Sequence, residues 1–474
     1  MKILVLNSGS SSQKSSLYEF GHTGPAASRA GAATSGNAGA ARGRDANAAA
    51  TSLPAGGPPA PLWSGEIEWN GDDAQMKIAT ASGAKSKQQV KAGSREEATR
   101  QLLATLWSGP TRVISSAAEI HVAGHRIVNG GPEYREPALV DAKVKAAIEH
   151  AAVFAPLHNR AELEGIAIIE KEIPGIPQVA VFDTGFHRHF APAAYVYPGP
   201  YEWLAKGIRR FGFHGINHEY VSQRAPQILQ RGVRGMRIVS CHLGNGCSLA
   251  AIQDGRSVDT TMGFTPLEGL MMGTRSGSVD PGILTYLMRR EQMTGEQMDD
   301  LLNKKSGLLG IAGFSGDLRE ILNAMQGAPA MDATGAGVKG TVPPASRSSA
   351  DSPPDAATAP VPTSRAGRAR LAFDMFVHRL RREIGGMIAV LGGLDVLVFT
   401  AGIGENSADV RAAACEALQF AGIELDAAKN AKSPADADIA TAQSRVRVLI
   451  IKAQEDWAIA RACARLANER GQHR

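Results

Sequence analysis

The hydrophobic pattern of the chain opens with a short apolar run, Lys2 to Leu6, that stops at Asn7, and Ser15 to Phe20 follows as its hairpin partner. Further apolar or β-branched runs lie at Val122–Val128, Gln178–Phe182, Arg237–His242 and Val396–Thr400, each closed by a polar or glycine turn. A last run, VRVLIIKA, precedes Glu455. Runs of this length and composition predict buried strands. Helical periodicity occupies Arg95–Trp107, Lys143–Ala151, Arg160–Glu172 and Arg370–Leu391. The alternation predicts α/β layers with functional loops at strand ends. A weak internal repeat accompanies it: ILVLNSGSSSQKSSLYEF and RIVSCHLGNGCSLAAIQDG both read strand, Gly/Ser turn, strand. Two domains that each open on such a hairpin would produce this repeat; chance recurrence of a common hairpin is the alternative.

Two stretches break the pattern. Residues 22–61 hold 32 Ala, Gly, Pro, Ser or Thr out of 40, with Leu53 the only large aliphatic, and residues 326–366 hold 30 of 41. Neither can bury enough apolar area to offset the entropy of ordering it, so both are expected to be disordered surface inserts. The remaining 393 of 474 residues suit two domains. The expected boundaries are 1–184, with the C-terminal helix 457–474 packing back on it, and 185–456.

Charge adds little. The net charge is +5 over 474 residues, and the densest basic cluster, Arg379, Arg381 and Arg382, reads as a solvated helix face rather than a nucleic-acid patch. The four cysteines form no C-x2-C pair, which argues against a zinc site or a disulfide framework. No apolar run is long enough for a membrane span, and the N-terminal run is too short for a signal-peptide core. A cytoplasmic protein is expected, with no nucleic-acid or membrane partner.

The candidate chemistry sits at strand ends. Asn7 to Ser12, with Lys14 beyond, follows the first strand as a turn of small and hydroxyl residues, either an anion cradle or a plain hairpin turn. His242-Leu243-Gly244-Asn245-Gly246 and Gly402-Ile403-Gly404-Glu405-Asn406 follow two later strands, and Ser407 to Gln419 can form the next helix. No G-x4-G-K-[ST] occurs and the third glycine of a dinucleotide fingerprint is missing, so a P-loop and a Rossmann oxidoreductase both lose support. Arg126 and Arg275 lie in glycine-rich loops, where a guanidinium either grips a planar anion or a backbone carbonyl. His158, Asp183 and His214 punctuate apolar context. Glu455, at a strand end, suits a magnesium ligand.

Nine strings in order, NSGSSSQK, GHRIVNGG, APLHN, FDTGFH, FGFHG, HLGNG, GLMMGTRSG, GFSGDLRE and GIGENS, resemble the acetate kinase (acetokinase) family of the acetate and sugar kinase/heat-shock/actin ATPase superfamily. The resemblance covers the chain outside the two inserts. It implies two actin-like ATPase domains (a duplicated ribonuclease H-like βββαβαβα core) with a cleft between them, the second binding nucleotide and joining a homodimer. It implies Asn7 and Glu455 at the metal site, with Mg2+ as the ion and Mn2+ the alternative. It implies Lys14, His242 to Gly246, Asp317-Leu318-Arg319 and Gly402 to Asn406 as ATP-binding segments, and Arg126 and His158 at the substrate carboxylate. His214 and Arg275 become transition-state stabilisers, and Asp183 takes the position treated as catalytic acid/base.

Acetate is already an anion at neutral pH, so the chemistry needs cations and fixed donors rather than a base. Asp183 is therefore expected to orient an arginine or a metal-bound water. Three departures stand out: Asn129 where the family has His, Ile216-Asn217 before His218 where it has Thr-Ser, and Ala453-Gln454-Glu455-Asp456 where it has Thr-Asn-Glu-Glu. The expected reaction is reversible transfer of the ATP γ-phosphoryl group to acetate. A propionate kinase is the nearest alternative and a nucleotide-switch ATPase the more distant one.

Overall fold

The computed structural model describes residues 1–9, 12–21, 53–54, 56–70, 73–91, 93–152, 156–326 and 361–472. Most of both low-complexity stretches lies outside the described residues, as do the side chains of 156–158, so the call on His158 falls outside them too.

The strands are β1 (Lys2–Ser8), β2 (Ser12–Glu19), β3 (Trp63–Asn70), β4 (Asp73–Thr80), β5 (Lys85–Lys91), β6 (Ile120–Ile127), β7 (Ala138–Leu139), β8 (Gln178–Phe182), β9 (Arg237–Leu243), β10 (Cys247–Gln253), β11 (Arg256–Thr260), β12 (Val396–Thr400), β13 (Ala437–Asp438) and β14 (Arg447–Ile450). The helices that matter below are α1 (Arg95–Ala104), α2 (Ala142–Ala151), α3 (Pro156–Glu172), α4 (Gly215–Ile228), α5 (Arg365–Leu391) and α6 (Glu455–Gln472). Caps set several of these ends: Ser94 accepts from the Glu97 N–H, and Ser364 from Gly367 N–H, which starts α5 five residues before its apolar periodicity begins.

Two sheets share one plan. The first has the order β5-β4-β3-β2-β1-β6-β8-β7, the second β11-β10-β9-β12-β14-β13. In both, a consecutive meander (β5 to β1 in the first sheet, β11 to β9 in the second) leads into three strands that follow later in the chain. β1 pairs antiparallel with β2 and parallel with β6, which pairs parallel with β8. In the second sheet β10 and β11 are antiparallel and β12 and β14 parallel. β8 and β12 are buried at every position, which is why both read as unbroken apolar runs rather than alternating ones.

The chain divides into two compact units. One comprises Met1–Ser240, Ala250–Pro266 and Ile451–Arg474, the other Cys241–Leu249 and Leu267–Ile450. In the first unit, Leu4, Leu6, Leu17, Trp63, Leu102 and Ile169 belong to one core cluster, formed where α1 and α3 cover the sheet. Ile127, Val144, Ile148, Ile166 and Phe182 form a second under α2 and α3. The last helix, α6, packs on β1, β6 and α4 of the same unit.

Two sequence expectations need revision. The β3–β4–β5 meander has no counterpart among the strands read from apolar runs, because its solvent face is charged: β5 reads KSKQQVK and is mostly exposed, as suits a sheet edge. The signal was there in the alternation of Trp63, Gly65, Ile67 and Trp69 and in the hairpin dipeptide Asn70-Gly71. The first low-complexity stretch also ends earlier than expected. Leu53 is buried, its carbonyl accepts from Gln227 Nε2 at 2.9 Å, and the Pro54 carbonyl lies 3.5 Å from Arg224 Nη1.

Candidate active site

In the first unit, strand ends bring four of the expected residues into one line of polar contacts. Arg126, next to last in β6, donates to Asp183 Oδ2 from Nε at 3.1 Å and from Nη2 at 2.5 Å. Its Nη1 reaches Asn7 Oδ1 at 3.3 Å, and Asn7 Nδ2 lies 3.4 Å from Glu455 Oε2. Asn7 comes from β1 and Asp183 follows β8, so the parallel strands β1, β6 and β8 place both with Arg126 at one sheet end, and Glu455 is brought there by α6, which packs on β1 and β6. Burial would by itself lower the Arg126 pKa, but Asp183 and Glu455 outweigh it and the guanidinium is held firmly charged. Asp183 is 1% exposed and Arg126 16%. A carboxylate so buried against a cation is built to hold that cation in place.

His214 caps α4 in the left-handed conformation, with φ of 56°, an unusual backbone state for a non-glycine residue. The next residue makes it possible. Gly215 N–H donates to the Asp183 carbonyl at 2.8 Å, and a Cβ at Gly215 would stand 2.1 Å from that oxygen. The FDTGFH and FGFHG segments are thus locked together through a contact only glycine allows. His187, from the first of these segments, is buried between Ser257 Oγ (2.8 Å) and the Phe213 carbonyl (3.1 Å), and burial pushes its pKa down to about 4. It is a neutral structural imidazole. Lys14 projects from β2, 60% exposed and 3.9 Å from Glu66.

Glu162 escapes the sequence reading altogether, and Asp456 and Asn129 enter it only as departures from the family pattern, without a role. Glu162 on α3 is 1% exposed, and both its oxygens accept from the Val128 N–H, at 3.0 and 3.2 Å. Burial pushes its pKa up to about 8, against the pull of that N–H and of Arg126. Asp456 Oδ2 accepts from Ser16 Oγ at 2.6 Å, and burial raises its pKa. Asn129 uses its side-chain oxygen to accept from Gly131 N–H at 2.8 Å, which pins the turn after β6. A charged residue inside a helical apolar stripe is the signal that marks Glu162: it sits between Ala161 and Ile166, both buried.

The second unit gathers the glycine-rich segments. His242 and Leu243 are buried at the end of β9, and the turn closes with Gly244 N–H donating to the Gly246 carbonyl at 3.1 Å. Only Gly244, Asn245 and Gly246 are open to solvent, so Leu243 contributes packing rather than contact. Gly273 N–H donates to the Asn245 carbonyl at 3.2 Å, and a Cβ on Gly273 would meet Asn245 Oδ1 at 2.2 Å and the Gly316 carbonyl at 3.1 Å. These contacts draw the Arg275 loop, the Asn245 turn and the start of the Asp317 segment together. Asp317 caps the helix Leu318–Ala324 and pairs with Arg319, whose side chain is 88% exposed.

Gly402 to Asn406 differs from expectation. It is itself a short helix, Ala401–Asn406, and a second helix, Ala408–Glu416, starts from the Ser407 cap. Arg411 explains the break. It is fully buried and donates to the carbonyls of Gly404 (2.8 Å) and Glu405 (2.9 Å), while burial lowers its pKa to about 10.

Among the described residues no three His, Cys, Asp or Glu side chains converge on a metal position. Asn7 and Glu455 bring two oxygen-bearing side chains, the donor type a hard cation takes, with Asn7 Oδ1 here accepting from Arg126 and its amide donating to Glu455. No helix among the described residues is long and apolar enough to cross a membrane.

The repeated strand order, with glycine turns and carboxylates at strand ends, defines the class: an α/β protein with the ribonuclease H-like core of actin-like ATPases present twice. The comparisons agree. The model of the Acetokinase family matches residues 47–338 and 358–461, and the chain belongs to that family. It is 50% identical over 466 residues to an acetate kinase of Gloeobacter violaceus, covering 98% of each chain, and 46% identical over 474 residues to one of a Cyanothece species, covering all of both. The crystal structure of Porphyromonas gingivalis acetate kinase superposes with a TM-score of 0.76 at 34% identity, covering 98% of this chain and 99% of that one. A propionate kinase from Francisella tularensis superposes with the same TM-score at 30% identity and the same coverage.

Proposed function

We propose that the chain is an acetate kinase, transferring the γ-phosphoryl group of ATP directly to acetate. A carboxylate oxygen of acetate forms a bond to the γ-phosphorus as the bond from that phosphorus to the β,γ-bridging oxygen breaks, and ADP leaves with the electron pair. No proton needs to be removed from acetate. The single observation that carries the reading is Arg126 held by Asp183 and Asn7 at a strand end, in a chain half identical to proteins named acetate kinase.

Arg126 grips the substrate carboxylate, with His158 as its neighbour. Asp183 positions Arg126, and that pairing supports an orienting role over proton abstraction. His214 and Arg275 stabilise charge on the transferring oxygens. Lys14, His242 to Gly246, Asp317 to Arg319 and Gly402 to Asn406 hold ATP. Asn7 and Glu455 would hold Mg2+, which when bound neutralises phosphate charge. A homodimer and a cytoplasmic location complete the proposal.

Trapping the acyl phosphate with hydroxylamine tests the reading. Acetate is expected to give the highest kcat/KM among acetate, propionate and butyrate. A preference for propionate would favour the activity named for the Francisella relative. ATP hydrolysis without acyl phosphate would overturn both.

A further inference from the structure

A cavity of about 150 Å³ in the first unit lies apart from the residues assigned above. Its walls include Arg135, Arg188, Arg461 and Arg465 against Glu136 and Glu219, an excess of two positive charges. Two guanidinium nitrogens there, Arg461 Nη1 and Arg465 Nε, are buried and have no hydrogen-bond partner among the described residues; Arg188 Nε likewise makes no hydrogen bond but is ion-paired with Glu136. The remaining bonds are few. Arg461 Nη2 donates to Gln223 Oε1 at 2.5 Å, Arg188 Nη1 donates to the Gly185 carbonyl at 2.9 Å, and Arg188 Nε lies 3.5 Å from Glu136. Burial depresses the Arg461 pKa, with Glu219 opposing and Arg465 reinforcing it.

An apolar cavity of roughly this size stays dry and takes a benzene-sized guest. Here Phe182, Phe186 and Ala462 supply apolar wall, but the unsatisfied donors are cationic. Leaving buried guanidinium N–H groups unmatched is costly. Planar forks of this kind match oxyanions two bonds at a time.

We propose that this cavity is a second anion site that takes a compact dianion, such as a phosphate group or a short dicarboxylate, and that its occupancy is felt at the phosphoryl-transfer site. The coupling follows from shared elements. Asp183 leads in five residues to Arg188. His214 caps α4, which carries Glu219 and Gln223. Glu455 opens α6, which carries Arg461 and Arg465. Each element thus has a candidate active-site residue at one end and a wall of the cavity further along, about 9 Å away on α6 from Glu455 to Arg461 at 1.5 Å per residue. A helix can transmit a small shift over that span as a rigid body. The coupling, though not the binding, rests on the kinase reading.

The test uses the full chain with inorganic phosphate and with malonate as separate probes, against sodium chloride at equal ionic strength. Thermal shift and calorimetry are run on the wild type, on R461M/R465M, which keeps the apolar stems, and on R461K/R465K, which keeps the charge. Binding at the phosphoryl-transfer site is common to all three and cancels in the comparison. At least one probe is expected to bind the wild type tenfold or more tighter than either variant, and to change acetate KM about fivefold, the lower end of allosteric coupling. Binding by phosphate alone identifies a tetrahedral oxyanion, and by malonate alone a ligand with planar carboxylate groups. No shift beyond chloride in the wild type, or equal affinity in all three proteins, overturns the site. Binding without kinetic change overturns the coupling. If the reaction assay finds no acyl phosphate, the calorimetric comparison still decides the site.

Discussion

The two site regions are built by opposite means. In the first unit, side chains from positions 7, 126, 162, 183 and 455 do the work, and their backbones stand well apart in sequence. In the second, the Asn245 turn and the loops around Gly273 and Gly316 approach so closely that no Cβ fits. The first region is defined mainly by what its side chains carry, with Gly215 at the Asp183 carbonyl as a close approach of the other kind, and the second mainly by what its glycines lack. Removing a group should therefore damage the first region, and adding one should damage the second.

The largest effect is expected from Arg126→Ala. It leaves Asp183 buried without its cation, a change that typically costs about 3–5 kcal/mol, and it deletes the carboxylate grip. Acetate kcat/KM should fall by ~10³ or more, together with a drop in thermal stability. A variant with near-normal acetate KM would break the assignment of this region.

Gly273→Ala comes next. The added methyl must displace Asn245 or part the loop from Gly316, at about 1–3 kcal/mol of overpacking. ATP KM should rise about tenfold, with acetate KM little changed. Equal effects on both substrates would erase the contrast between the regions.

Glu162→Gln sharpens the comparison through pH. Glu162 ordinarily titrates near 4.5 but is pushed up to about 8 in the fold. The folded state therefore keeps a proton that the unfolded chain releases between those values. Stability from this group is full below pH 4.5 and is lost as pH rises through 8, by at most about 5 kcal/mol at 1.4 kcal/mol per unit. Denaturant unfolding at pH 5, 6, 7 and 8 should show the wild type losing stability relative to the glutamine variant. Parallel curves would remove Glu162 from the Arg126 network.

The smallest effects are expected in the first low-complexity stretch. Deleting residues 22–52 should leave melting temperature and turnover within error. Extending the deletion through Leu53 should cost roughly 1.5–3 kcal/mol of apolar burial. Equal behaviour of the two deletions would show that the Leu53 contact contributes nothing.

Legibility followed burial and length. β1, β8, β9 and β12 were readable because strands covered on both faces are continuous apolar runs. The edge meander β3–β5 was not, because an exposed edge is written in lysine and glutamine. The glycine strings pointed to the nucleotide region because close approach demands glycine in the sequence itself. Arg126 and Asp183 take roles only through the resemblance, and their pairing stays unnamed, since 56 intervening residues hide a 2.5 Å contact. Glu162 and Arg411 stayed hidden for the same reason. Each looks like an ordinary helical charge until the fold buries it.

The first unit is discontinuous: it begins at Met1 and regains Ile451–Arg474 only after the whole second unit has been made. Synthesis proceeds at about 5–20 residues per second, so β1 and β6 wait some tens of seconds on the ribosome for α6. Until then Asn7 and Arg126 have no Glu455 beside them, and Ser16 has no Asp456. The second unit, by contrast, closes within 241–450. A chain broken off before residue 455 can thus complete its glycine-rich region yet never its carboxylate line. Translation order makes the Asn7–Glu455 contact a late one, open only to a polypeptide that has reached residue 455.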